Sequence, residues 1–203
     1  TADDSVVAIT RDYLADPASG RRSTWHIKCL DDAGPYREDP DALVAGLVAT
    51  RTWLADQAAI VPVVLPEPNH VQPPYPVPTE TFGWAAGDAA YAMGRFDVEP
   101  GRALVLRGRS PACAFWNVCL WNPLLHTFDA GGPPVTINGT RVVPEPDGSW
   151  TIVVADEPTG HPNQVWTLGH RTGLVWFRWF LPDATPDEVT SEEVAVADVP
   201  PAP

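Results

Sequence analysis

Hydrophobic spacing changes character along this chain, from mixed and partly helical to mainly alternating. In residues 6–14, Val6, Ile9, Tyr13 and Leu14 fall near one face of a short helix. Residues 24–30 alternate apolar and polar and predict a strand. Asp39, Pro40 and Asp41 supply an N-cap, a first-turn proline and a first-turn acid. Leu43, Leu47, Thr50 and Leu54 then recur at helical spacing, so residues 42–60 predict a helix that ends before Pro62.

From Phe82 on, the period is that of strands. Residues 83–94 are small and glycine-laced and predict an irregular turn leading into residues 95–98. Residues 103–108 and 112–121 predict two strands. Asn138-Gly139 between β-branched residues predicts a type I′ hairpin over 135–143, because that turn needs positive φ at both central positions. A turn at Pro146-Asp147-Gly148 leads to a strand over 149–155, completing a three-strand meander. Residues 174–180 form the last strand. Alternation puts Trp176, Arg178 and Phe180 on one face and Phe177 and Trp179 on the other, a central strand covered on both sides.

Composition sharpens this reading. The 24 prolines in 203 residues demand short elements with many corners. The fold class is mainly β: an antiparallel β-sandwich, jelly-roll-like, with one or two N-terminal helices. The expected organisation is an N-terminal α/β segment over 1–65 packing on the sandwich and a Pro-rich strap over 66–81. The sandwich over 82–182 and an acidic Pro-rich tail over 183–203, surface-running or disordered, complete it.

A net charge of -13 leaves no basic footprint for nucleic acid or anionic lipid. No apolar run reaches the ~20 residues of a membrane-spanning helix. Cys29, Cys113 and Cys119 have no metal-type spacing, and their odd number argues against a disulfide framework. Together with a start (Thr1-Ala2-Asp3-Asp4) that lacks a basic, apolar leader, this predicts a cytoplasmic location.

Three groups of motifs stand out. They are Phe115-Trp116-Asn117-Val118; the run from Pro146 to Val154; and Gly160-His161-Pro162-Asn163 with Trp166, Gly169-His170-Arg171-Thr172-Gly173 and Trp176-Phe177-Arg178-Trp179. In order and spacing they resemble the domain of unknown function 1214 family in its actinobacterial form, over roughly residues 82–182. The family pattern has Trp directly after Asn, whereas Gln164 and Val165 intervene here. The resemblance implies an antiparallel sandwich of jelly-roll kind and no established activity.

Candidate chemistry concentrates in the same half. His161, Asn163, His170 and Arg178 are candidate catalytic residues, since imidazole, amide and guanidinium groups can move protons or hold an anion. The same His and Asn side chains serve equally well as loop-locking hydrogen-bond partners. Trp116, Asn117, His126, Trp166 and Trp176 are candidate ligand-binding residues, because aromatic walls with a few polar groups suit flat apolar ligands or sugars. No metal site or cofactor is predicted, a His-bound metal ion being the minority alternative.

The leading expectation is an accessory or ligand-binding module for an apolar, aromatic or carbohydrate-like ligand or a partner domain. The alternatives are an enzyme with a His/Asn/Arg site in the 156–178 region, and a subunit or processed part of a larger assembly.

Overall fold

A computed structural model describes residues 10, 12–16, 18–28, 30, 39–60, 66–75, 87–128 and 131–203. The chain divides into two compact units, one of Thr1–Gly20 with Leu65–Pro203, the other of Arg21–Val64. The first twenty residues therefore group with the β unit rather than with the rest of the expected 1–65 segment.

The smaller unit contains one helix, α1 (Pro40–Ile60). Asp39 caps it: its carboxylate accepts from the N–H groups of Asp41 (3.0 Å) and Ala42 (3.3 Å). Residues 24–28 and 30 are irregular rather than a strand. No strand partner reaches them among the described residues, and alternation alone does not hold a strand without one. Cys29 lies outside the described residues. Of the expected helix over 6–14, residues 10 and 12–14 are not helical, and the rest lies outside the described residues.

The larger unit is mainly β. One sheet has the order β1 (His70–Val71), β2 (Ala89–Asp97), β8 (Thr172–Phe180), β4 (Phe115–Trp121), β5 (Thr136–Asn138). The other has the order β7 (Gln164–Trp166), β6 (Trp150–Ala155), β3 (Arg102–Gly108), β9 (Thr190–Ala195). All pairs are antiparallel except β6 with β7. Val118, Leu120, Val175, Phe177 and Trp179 of the first sheet share one buried cluster with Leu104, Leu106, Trp150, Ile152 and Val154 of the second. That shared cluster makes the two sheets a sandwich.

Strand β8 is central, as its bulky faces predict, and Phe177 and Trp179 do point into the core. Four other expectations are corrected. Residues 89–94 are not a turn but the buried first part of β2, paired in register from Ala89↔Phe180 to Gly94↔Val175. Their small side chains let large neighbours pack on them, so they read as a turn only when those neighbours are unseen.

Asn138-Gly139 does not make a hairpin. Asn138 ends β5, which pairs with β4, and its carbonyl accepts from Arg141 (2.9 Å) and Val142 (3.0 Å). Neither residue has positive φ. The glycine is needed for space: a Cβ there would overlap the Trp116 indole nitrogen. The meander dissolves with the hairpin, since β5 and β6 belong to different sheets. The turn at Gly148 (φ 82) is present, closed by Gly148 N–H on the Glu145 carbonyl (2.8 Å).

The acidic end of the chain is not a loose tail. Strand β9 pairs with β3, and Arg102 and Arg107 meet Glu193 (2.9 Å) and Glu192 (3.1 Å). Val194, Val196 and Val199 pack over Ala103, Val153 and Ala155, closing that outer face. The proline strap lies at the opposite sheet's edge. There Asn69 mimics a strand residue, accepting from Asp97 N–H (2.8 Å) and donating to its carbonyl (2.8 Å). Residues 76–81 of the expected strap lie outside the described residues. No helix of the described residues is long and apolar enough to cross a membrane.

Candidate functional site: an aromatic end and outer face of the sandwich

Strand β7 runs parallel to β6 after a connection of only eight residues, 156–163. Parallel neighbours ordinarily need a dozen or more. Side chains hold the short return in place. Gln164 accepts from the Thr159 N–H (2.9 Å) and hydroxyl (2.8 Å) and donates to the Glu157 carbonyl (2.8 Å). Asn163, fully buried, accepts from Val143 N–H (2.8 Å) and donates to the carbonyls of Val143 (2.8 Å) and Thr151 (2.9 Å). His161 Nδ1 accepts from Asn163 N–H (3.1 Å), so the imidazole is a lock on the same turn. Its Nε2 is buried without a partner, and burial lowers its pKa, opposed by the Glu145 charge.

His170 stands apart, exposed and stacked on Phe128 with centroids 4.1 Å apart. Its turn is tied by Asp156, which accepts from Gly169 N–H (2.6 Å). Next to it, Arg171 pairs with Asp97 (2.9 Å) and Glu99 (2.5 Å). Arg178 lies elsewhere again, on the outward side of β8. The four candidate catalytic residues thus occupy a loop lock, an exposed turn and a sheet face, and they do not converge. Among the described residues no group of three or more His, Cys, Asp or Glu side chains is placed to hold a metal ion.

The ligand-binding candidates divide differently. His126 is exposed on the loop after β4, where Asn122 organises the backbone by accepting from Leu124 N–H (2.9 Å) and His126 N–H (3.1 Å). Trp166 sits on β7, its N–H donating to the Pro134 carbonyl (2.9 Å). Neither lines the concavities at the aromatic end.

Trp116 does. It is half-buried at one end of the sandwich and stacks on Trp150 with centroids 5.5 Å apart. Two adjoining concavities share Trp116, Cys113 and Gly139. One, about 460 Å³, is walled by Tyr13, Phe115, Thr140 and Phe180. The other, about 340 Å³, is walled by Ser110, Val142, Pro144 and Trp150. Beneath them the Ser110 hydroxyl accepts from the buried indoles of Trp150 (3.1 Å) and Trp179 (2.9 Å), which fixes the floor. Burial raises the pKa of the Cys113 thiol, so it contributes a neutral, weakly polar wall.

Asn117 and Trp176 belong to the outer face of the five-stranded sheet. Register places Tyr75, Tyr91, Arg178, Asn117 and Asn138 in one row across it. Trp176 stacks on Trp121 at 4.8 Å. Tyr13 lies over the same face, stacked on Phe180 at 4.5 Å, while Asn138 donates to the Ala15 carbonyl (2.8 Å). Desolvation raises the Tyr75 phenol above its ordinary pKa, with Tyr91 adding and the Arg178 charge opposing. Sequence reasoning missed Tyr13, Tyr75, Tyr91, Cys113, Ser110 and Thr140. The parity of β8 was the signal for its outward residues; the residues brought from other segments had none.

No protein-family profile matches the chain, and no curated protein matches it. Among solved structures it is similar to an uncharacterised protein from Burkholderia cenocepacia, with 27% identity and a TM-score of 0.54, over 57% of this chain and 32% of that one. The VPA0106 protein from Vibrio parahaemolyticus matches at 17% identity and a TM-score of 0.42, over 54% and 32% of the two chains. The chain therefore spans about a third of the length of each of these proteins.

Proposed function

We propose that the β unit is a binding module of the domain of unknown function 1214 type, non-catalytic, which seats a flat apolar or carbohydrate-like ligand at its Trp116 end. One observation carries the reading: Trp116 is backed by Trp150 on one side and forms a common wall of two adjoining concavities. A rigid indole with an open face offers stacking area at little entropic cost. The polar groups nearby, the Thr140 hydroxyl and Cys113 thiol, are neutral, which suits an uncharged ligand. Of the candidate catalytic residues, His161 and Asn163 are occupied in holding the 156–163 connection.

The test is titration with indole, 2-phenylethanol and cellobiose, followed by NMR of the tryptophan indole N–H resonances. The expected result is a saturable shift of the Trp116 resonance with at least one probe, weakened at least tenfold in Thr140→Trp. That variant fills the cleft from an exposed position and leaves Trp116 in place. No shift with any of the three, at millimolar probe and with the native fold intact, overturns the reading.

A further inference from the structure

We propose that the outer face of the five-stranded sheet carries a second, anion-accepting site, in which Arg178 holds the carboxylate of a planar aromatic acid. In a chain of net charge -13, carboxylates are abundant; Arg102, Arg107 and Arg109 each hold one and Arg171 holds two. Among the described residues Arg178 holds none, and no hydrogen bond joins its guanidinium to any of them. Its Nε is nevertheless buried without an acceptor. A half-buried guanidinium with vacant donors is costly unless something supplies the acceptors.

The surroundings extend the point. The indole nitrogen of Trp176, on the same face, is also a buried donor without an acceptor among the described residues. The guanidinium carbon lies 5.4 Å from the Tyr91 ring centroid and 5.8 Å from that of Tyr13. Aromatic faces stabilise the cation and restrict its plane, but they accept no N–H bond of ordinary strength. Arg178 is thus oriented while its donor edge is unused. A carboxylate matches that edge in two parallel hydrogen bonds. An aromatic body fits the rest, since the rings of Tyr13 and Tyr91 face the guanidinium and Tyr75 and Trp176 pack against Tyr91. This site does not depend on the Trp116 cleft, although Tyr13 borders both.

Phenylacetate and its neutral counterpart 2-phenylethanol, titrated calorimetrically into the full chain, test the proposal. Phenylacetate is expected to bind at least tenfold more tightly than the alcohol and to weaken as NaCl is raised. Arg178→Gln should reduce the acid to the alcohol's affinity, and Arg178→Lys should recover only part of the difference, since an ammonium lacks the planar fork. Thr140→Trp should leave the acid's binding unchanged, which separates this site from the cleft. Equal affinity for acid and alcohol, indifference to Arg178→Gln in a folded variant, or loss of acid binding in Thr140→Trp each overturns it. Should Arg178→Gln fold poorly, the comparison of acid with alcohol on the Thr140→Trp chain, whose Trp116 cleft is filled, decides alone.

Discussion

Asn163 shows how a polar residue in a suggestive motif is used up by structure. Its buried amide satisfies one N–H and two carbonyls. Asn163→Ala leaves those groups without partners, and removal of several buried hydrogen bonds costs about 2–4 kcal/mol. Urea denaturation should show a lowered midpoint at unchanged slope. His161 acts on the same turn. Because burial lowers its pKa, the unfolded chain binds the proton first, beginning near pH 6.5. Its contribution is therefore present above that pH and is lost as pH falls from about 6.5 toward the depressed folded value. Stability measured at several pH values between 7.5 and 5 should decline less steeply in His161→Gln than in the native chain; equal slopes would contradict this linkage. Gly139 is a third case. Gly139→Ala must push the Trp116 ring away, an overpacking cost of about 1–3 kcal/mol. Near-UV circular dichroism should report the lost Trp116–Trp150 stack.

At the scale of elements, strand β9 corrects an expectation drawn from charge. Six acids and no base after Pro182 read as a solvated tail. The bases that complement Glu192 and Glu193 are Arg107 and Arg102, 85 and 91 residues earlier, and only the register of β3 with β9 aligns them. These ion pairs are exposed, so Glu192→Ala or Glu193→Ala should each cost at most about 1 kcal/mol. Deleting residues 183–203 is different in kind. It uncovers Ala103, Val153 and Ala155 and frees the edge of β3. The truncated chain should aggregate at concentrations where the single-site variants do not, as light scattering would show. Strands β6 and β8 were legible because their own residues declare them: β-branched runs, bulky faces, a turn at Gly148. Strand β2 was not, because its signature is smallness, which means a turn or a tightly packed strand depending on what lies opposite.

For the β unit as a whole, the sheets are joined through aromatic stacking. Phe177 of β8 stacks on Trp150 of β6 (5.6 Å) and on Trp179 (5.5 Å), all three rings buried. Phe177→Ala should cost about 3–5 kcal/mol and lower the midpoint of the whole unit's unfolding, since the cavity lies between both sheets. Half of the candidate site could be read beforehand: Trp116, Asn117, Trp176 and Arg178 by residue type and by alternation along a strand. Tyr13, Tyr75, Tyr91 and Cys113 could not, because each reaches the site by register or by a chain crossing that no local pattern encodes. The sequence by itself determined the β class, the capped helix, the central strand and the inward and outward sides of β8. These depend on backbone propensity and on a period that short windows contain. Only the tertiary structure decided which sheet each strand joins, why Gly139 is glycine, that the acidic end is a strand, and that Arg178 stands without a carboxylate among the described residues. Those outcomes depend on partners distant in sequence, and the free energy that selects them is gained only when the two faces meet.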